Sequence, residues 1–181
     1  MPNFSKYAFY VLTGIHRNCI FVASIANRMN YEQEKLNCKQ IMIVDDDQFS
    51  VLLTRLKLKK YVGEKNIQVF NTVGSAIEYL EDQINGKTDA FPDLILIETM
   101  MEDGKGWEFF MHFEEMAKVA NFPVKLIVLT SSQFFSDFRR STRFSIVNGF
   151  LIKPLQIDQL IRLISQDKAG RSEILLNSFI A

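Results

Sequence analysis

"LILIETMMEDGKGWEFF", residues 94–110, holds a strand, an acid, a turn and the start of a helix in one short stretch. Leu94 to Ile97 is a continuous apolar run, the pattern of a strand buried on both faces, and Pro92 stands just ahead of it. Glu98 ends the run. Asp103-Gly104 and Gly106 supply turn chemistry, and an amphipathic pattern then runs from Trp107 to Val119. A carboxylate at the carboxyl end of a buried strand is either a solvated terminus or part of a site. The choice depends on what else the fold brings to that end.

The same unit recurs on both sides. "QIMIV" (40–44) ends in Asp45-Asp46-Asp47 and leads into "FSVLLTRLKLKKY" (49–61), which places Val51, Leu52, Leu56 and the stem of Lys59 on one helical face. "IQVF" (67–70) precedes "SAIEYLEDQI" (75–84), with Ala76, Ile77, Leu80 and Ile84 at helical spacing. "KLIVL" (125–129) ends at Thr130-Ser131-Ser132 and leads to a short phenylalanine-rich helix over 133–140. "GFLI" (149–152) runs into Lys153-Pro154, and "QIDQLIRLIS" (156–165) forms a closing helix. Five alternations with unbroken apolar strands predict an α/β fold, a doubly wound five-stranded parallel sheet with helices on both faces. In such folds the site lies at the carboxyl ends of the strands, near the point where strand order reverses.

Composition narrows the function. Hydrophobic residues make up 48% of the 181, enough for a packed core, and 21 basic residues balance 21 acidic ones. With no net basic field, nucleic acid is excluded as a whole-molecule partner. Cys19 and Cys38 form no metal or redox spacing, which fits a reducing, cytoplasmic setting. Residues 1–28 carry Lys6, Arg17 and Arg28 and no acid. Their apolar runs, "YAFYVLTGI" and "CIFVASIA", are too short to span a bilayer, so no membrane insertion is expected. The predicted organisation is a non-core extension over 1–38 (with Met29 as an alternative start), one domain over 39–167, and a short tail over 168–181. That tail is too short for an output domain, so the module is expected to stand alone.

At the strand ends the topology gathers Asp45, Asp46 and Glu98 with Thr130 and Lys153. Clustered carboxylates repel, so they bind a cation or titrate upward. An all-oxygen set suits Mg²⁺ better than Zn²⁺. Lysine would offset the remaining charge, and the hydroxyl could hold an oxygen of an added phosphoryl group.

Over residues 39–167 these motifs resemble the receiver domain of bacterial two-component response regulators. "VDDD" matches the family's acidic pair at Asp45 and Asp46, "LTSS" carries a switch threonine at Thr130, and "GFLIKP" carries a switch aromatic at Phe150 and the lysine at Lys153. The resemblance implies a cytoplasmic, non-enzymatic module of flavodoxin-like (βα)5 fold in phosphorelay signalling. It implies Mg²⁺ on Asp45, Asp46 and Glu98, and phosphate contacts at Thr130 and Lys153. A sensor histidine kinase or another signalling protein is the implied partner, with a homodimer through the helix 4–strand 5–helix 5 face. The family pattern D-x-x-M-P-x-x-x-G falls on Glu98 to Gly106, so Glu98 takes the phosphoacceptor position and Glu102 replaces the proline. Glutamate adds about 1.5 Å of reach. It can meet Lys153 and Thr130 as a substitute for a phosphorylated aspartate, act as a poor acceptor or metal ligand, or mark a decayed site. Two other readings stand beside this one. A haloacid-dehalogenase-like, Mg²⁺-dependent phosphatase would use Asp45 and Asp47, but Phe49 is out of place for it and no cap insertion fits. An oligomerisation domain would need no metal. Among Phe134, Phe135 and Phe138, core packing is expected for most, with one ring left for protein contact.

Overall fold

The computed structural model describes residue 36 and residues 38–86, 91–102, 105–119 and 123–165. The expected extension, apart from Leu36 and Cys38, lies outside the described residues, as do the tail and the turn residues Asp103 and Gly104. Five strands and five helices alternate: β1 (Ile41–Val44), α1 (Gln48–Val62), β2 (Ile67–Phe70), α2 (Val73–Ile84), β3 (Leu94–Ile97), α3 (Gly106–Val119), β4 (Lys125–Thr130), α4 (Phe135–Ser141), β5 (Val147–Ile152) and α5 (Ile157–Ile164). The strands form one parallel sheet in the order β2-β1-β3-β4-β5. The fold is the one the alternation predicts.

Successive strand residues point to opposite faces, so the sheet feeds two cores. Met42, Val44, Ile95, Ile97, Val128 and Phe150 meet the inner sides of α2, α3 and α4. Ile41, Ile43, Leu94, Leu96, Ile127 and Leu151 meet α1 and α5. Both faces are covered, which is why the strands read as apolar runs without alternation. Leu36 is buried in the second core, so packing begins before the strand pattern does. The Asp93 carboxylate accepts from the amides of Lys39 (2.6 Å) and Gln40 (2.9 Å), tying the entry to β3 to the entry to β1.

One helical face differs from the expectation. On α1 the buried residues are Ser50, Val51, Thr54 and Leu58, while Leu52 and Leu56 face outward with Phe49. Apolar and polar residues are spread over every side of the helix, so its sequence carries no phase. Packing on the sheet sets the phase instead.

Strand order reverses between β1 and β3. Register pairs Val44 with Ile97, so Asp45 and Glu98 leave the sheet side by side at that switch point. Gly106 holds the following helix close: a Cβ there would lie 2.5 Å from the carbonyl oxygen of Thr99. Gly106→Ala is expected to cost about 1–3 kcal/mol in urea unfolding, the range for forced overpacking. An unchanged midpoint would mean that the β3–α3 loop yields freely.

Candidate functional site

Backbone pairing carries the strand ends past the sheet in step. The Asp45 amide donates to Phe70 (3.0 Å), Glu98 to Val44 (2.9 Å) and Lys153 to Thr130 (2.8 Å). Asp45, Glu98 and Thr130 are each at most 3% exposed, although all are polar. Buried polar groups of this kind persist only with partners.

Glu98 is saturated. Its Oε1 accepts from the amides of Thr99 (2.8 Å) and Met100 (2.9 Å) and from the Thr130 hydroxyl. Its Oε2 accepts from the Ser131 amide at 2.9 Å and the Ser131 hydroxyl at 3.4 Å, and lies 3.0 Å from Lys153 Nζ. Burial alone would push the Glu98 carboxyl up. The Thr130 hydroxyl, the Met100 and Ser131 amides and the Lys153 charge outweigh it and hold the group below the usual carboxylate range.

Lys153 bridges two buried acids, with Asp45 Oδ2 at 2.7 Å on the other side. Burial would lower its ammonium. The hydrogen bond to Asp45 and the charges of Glu98 and Asp45 win, and its pKa is raised. Asp45 Oδ2 also accepts from Ser50 Oγ (2.8 Å), and its Oδ1 accepts from the Asp47 amide (3.1 Å). Asp46 stands apart, its Oδ2 accepting from the Glu102 amide at 2.6 Å. An open cleft of about 580 Å³ above these groups is bordered by Asp46, Met100, Glu102 and Ser131.

Part of the oxygen set expected for a divalent cation is already engaged. Among the described residues no three carboxylates are gathered as a metal site. Both Glu98 oxygens and Asp45 Oδ2 already face donors, and the Lys153 ammonium sits between the two acids where positive charge is needed. Asp45, Asp46 and Glu98, the set expected from the sequence, border the same cleft, with Lys153 between Asp45 and Glu98. The Asp45/Asp47 pair of the phosphatase reading is not assembled. Asp47 Oδ1 caps α1, accepting from Phe49 (2.9 Å) and Ser50 (3.2 Å), while Asp45 is tied to Lys153.

Ser132 belongs to the site although no sequence motif singles it out. Its amide donates to Thr130 Oγ1 (3.1 Å), its hydroxyl donates to Asp137 in α4, and it accepts from the Phe134 amide at 3.3 Å. A hydrogen-bonded chain thus runs from Glu98 through Thr130 and Ser132 to the first turn of α4. A serine just ahead of a short helix with an acid in its first turn was the available signal. Phe150 is buried and packs edge-on against Phe138 at 5.7 Å, so the expected switch aromatic points inward. Phe134 and Phe135 are both exposed, two rings where one was expected.

A response regulator receiver domain model matches residues 41–165. No curated protein matches the chain. Among solved structures, a response regulator receiver protein from Dyadobacter fermentans aligns at 26% identity and a TM-score of 0.59, over 70% of this chain and 94% of that one. A two-component response regulator from Cytophaga hutchinsonii aligns at 23% identity and a TM-score of 0.60, over 70% and 93%. The receiver domain of the histidine kinase CKI1 from Arabidopsis thaliana, solved with Mg²⁺ and BeF₃⁻, aligns at 20% identity and a TM-score of 0.61, over 76% and 94%. The five-stranded sheet, the strand-end acids and lysine, and the family match over most of its length agree: this chain belongs to the response regulator receiver domain family.

Proposed function

We propose that this chain is a receiver module held in a charged, phosphate-like arrangement by Glu98 itself, and that it signals in the cytoplasm through protein contacts. The observation that carries the reading is the saturation of the Glu98 carboxylate by Thr130, Lys153 and three backbone amides. Each carboxylate oxygen offers about two lone pairs. Oε1 has three donors and Oε2 has an amide, a hydroxyl and an ammonium, so neither keeps a free pair aimed at an incoming phosphorus. Phosphoryl transfer depends on such positioning, and displacements near 1 Å cost on the order of a hundredfold.

The same carboxylate performs the task that an added phosphoryl group would otherwise perform for the loop after β4. It fixes the Thr130 hydroxyl, and Thr130 takes the Ser132 amide. Ser132 in turn holds Asp137 and the Phe134 amide at the start of α4. Charge at Glu98 thereby sets the position of the α4 surface, where Phe134 and Phe135 stand exposed. A sensor histidine kinase or another signalling protein is the partner class this supports.

Trp107 tests the reading, because it is buried at the start of α3, next to Gly106 and the β3–α3 loop. Mg²⁺ with beryllofluoride is expected to leave wild-type Trp107 fluorescence unchanged. In Glu98→Asp, where the side chain is shorter and oxygens are released, a saturable change is expected. A saturable wild-type response would refute a site already filled by its own carboxylate.

A further inference from the structure

We infer that a cavity at the amino-terminal end of the sheet is a binding site for a small, uncharged, mostly apolar molecule carrying a hydrogen-bond acceptor. The cavity measures about 320 Å³, near the lower end of the roughly 300–1,000 Å³ found for ligand pockets. Val124 and Ile146, which line it, stand just before β4 and β5, and Ile84 is the last residue of α2. Glu98 follows the carboxyl end of β3, so the cavity and the charged site lie at opposite ends of a parallel sheet. The inference is therefore independent of the reading of Glu98.

The wall is apolar and partly preset. Phe113 is buried and stacks on Phe109 at 5.7 Å, so the core fixes one side of the cavity. Phe91, Met116, Val124 and Ile146 pack against the same core but are only half-buried, which leaves apolar surface on each for a ligand. Among the described residues the lining holds no charged side chain, and Ser145 and Asn148 supply its polar groups. An ionised molecule would lose hydration there without meeting a counter-charge, so the chemistry favours a neutral occupant. A stable contact with a second copy of the chain buries roughly 800 Å² on each side, far more than one cavity of this size presents.

Asn148 supplies the specificity. Leu126 pairs with Val147 and Ile127 with Gly149, so Asn148 is the extra residue of a bulge in β5, a device that re-aims side chains. Its Oδ1 accepts from the Leu126 amide at 2.7 Å, in place of a backbone carbonyl. A donor on that side requires the oxygen there, which settles the amide orientation and leaves Nδ2 to donate elsewhere. Among the described residues Nδ2 has no acceptor, and it is not sealed from solvent. Ser145, by contrast, is exposed at the rim and donates to Glu114 at 3.1 Å. A fixed donor in an apolar wall selects a ligand with a carbonyl, ether or ring-nitrogen acceptor.

The test uses the full chain and prodan, an uncharged naphthyl ketone whose emission shifts to the blue when it leaves water. One saturable site with blue-shifted emission is expected in wild type. Ala117→Phe, at an exposed lining position, occupies the cavity and should abolish binding. Asn148→Asp keeps an oxygen for the Leu126 amide and removes the donor, so binding should weaken about tenfold or more. Competition in wild type separates the donor from packing and needs no variant to fold. Acetylnaphthalene should displace prodan about tenfold more effectively than ethylnaphthalene, which has nearly the same shape and no acceptor. Naphthoate, which is ionised, should not displace it. No saturable binding in wild type, undiminished binding by Ala117→Phe or by folded Asn148→Asp, or equal displacement by ethylnaphthalene or naphthoate would overturn the inference. A concentration-dependent dimer that Ala117→Phe abolishes would also overturn it, by assigning the cavity to a second copy.

Discussion

Lys153→Met is expected to destabilise the domain by about 3–5 kcal/mol in urea unfolding at neutral pH, the range for stripping one partner from a buried ion pair. The ammonium lies 2.7 Å from Asp45 and 3.0 Å from Glu98, both almost fully buried. Its removal leaves two carboxylates facing each other at low dielectric, with methionine filling much of the volume. The loss therefore reports charge and not a cavity. Lys153 has a raised pKa, so its contribution is complete below the ordinary lysine range and disappears only as pH climbs through the higher folded value. Between pH 6 and pH 9 the wild type should consequently show no loss traceable to this group. A penalty for Lys153→Met under about 1 kcal/mol would mean that the two acids are solvated and the bridge contributes little.

Glu98→Gln should be the second most damaging change, at about 2–3 kcal/mol near neutral pH. The amide oxygen can replace Oε1 toward Thr99, Met100 and Thr130. The amide nitrogen then opposes two donors, the Ser131 amide and Lys153 Nζ, which cannot accept from it. The pH dependence gives a second readout. The folded-state pKa of Glu98 is depressed, so the stability it contributes is full above the ordinary carboxylate range and is lost as pH falls through the lower folded value. Stability curves of wild type and Glu98→Gln should converge in strong acid. A gap that stays constant from pH 7 down would show that Glu98 acts through packing alone.

The sheet and the location of the site were legible because each strand is an apolar run closed by a distinct polar signature, Asp45-Asp46 on β1, Glu98 on β3, Thr130 on β4 and Lys153 on β5. Topology then brings those signatures together without further information. The phase of α1 was not legible, since Leu52 and Leu56 are as apolar as Val51 and Leu58, and only packing decides which pair is buried. Which oxygens of the metal set stay open was not legible for a related reason. Sequence shows which residues carry carboxylates but not how many backbone amides meet them. The amides of Thr99, Met100, Ser131 and Glu102, together with Lys153, engage oxygens that a count of acids leaves free. Ser132 escaped notice because its partners are a hydroxyl, an amide and an acid at separations of two to five residues, a pattern that any polar loop can show.

Phosphorylation by a small-molecule donor is the most direct test of the central claim. Wild type and Glu98→Asp would be incubated in parallel with acetyl phosphate and Mg²⁺, and protein-bound, acid-labile phosphate followed by intact mass. Glu98→Asp serves as the positive control, because the shorter carboxylate releases Thr130 and Lys153 and restores the acceptor length of the family. Phosphate is expected on Glu98→Asp and none on wild type. Stoichiometric phosphate on wild type, absent from Glu98→Gln, would contradict it and make Glu98 an ordinary acceptor.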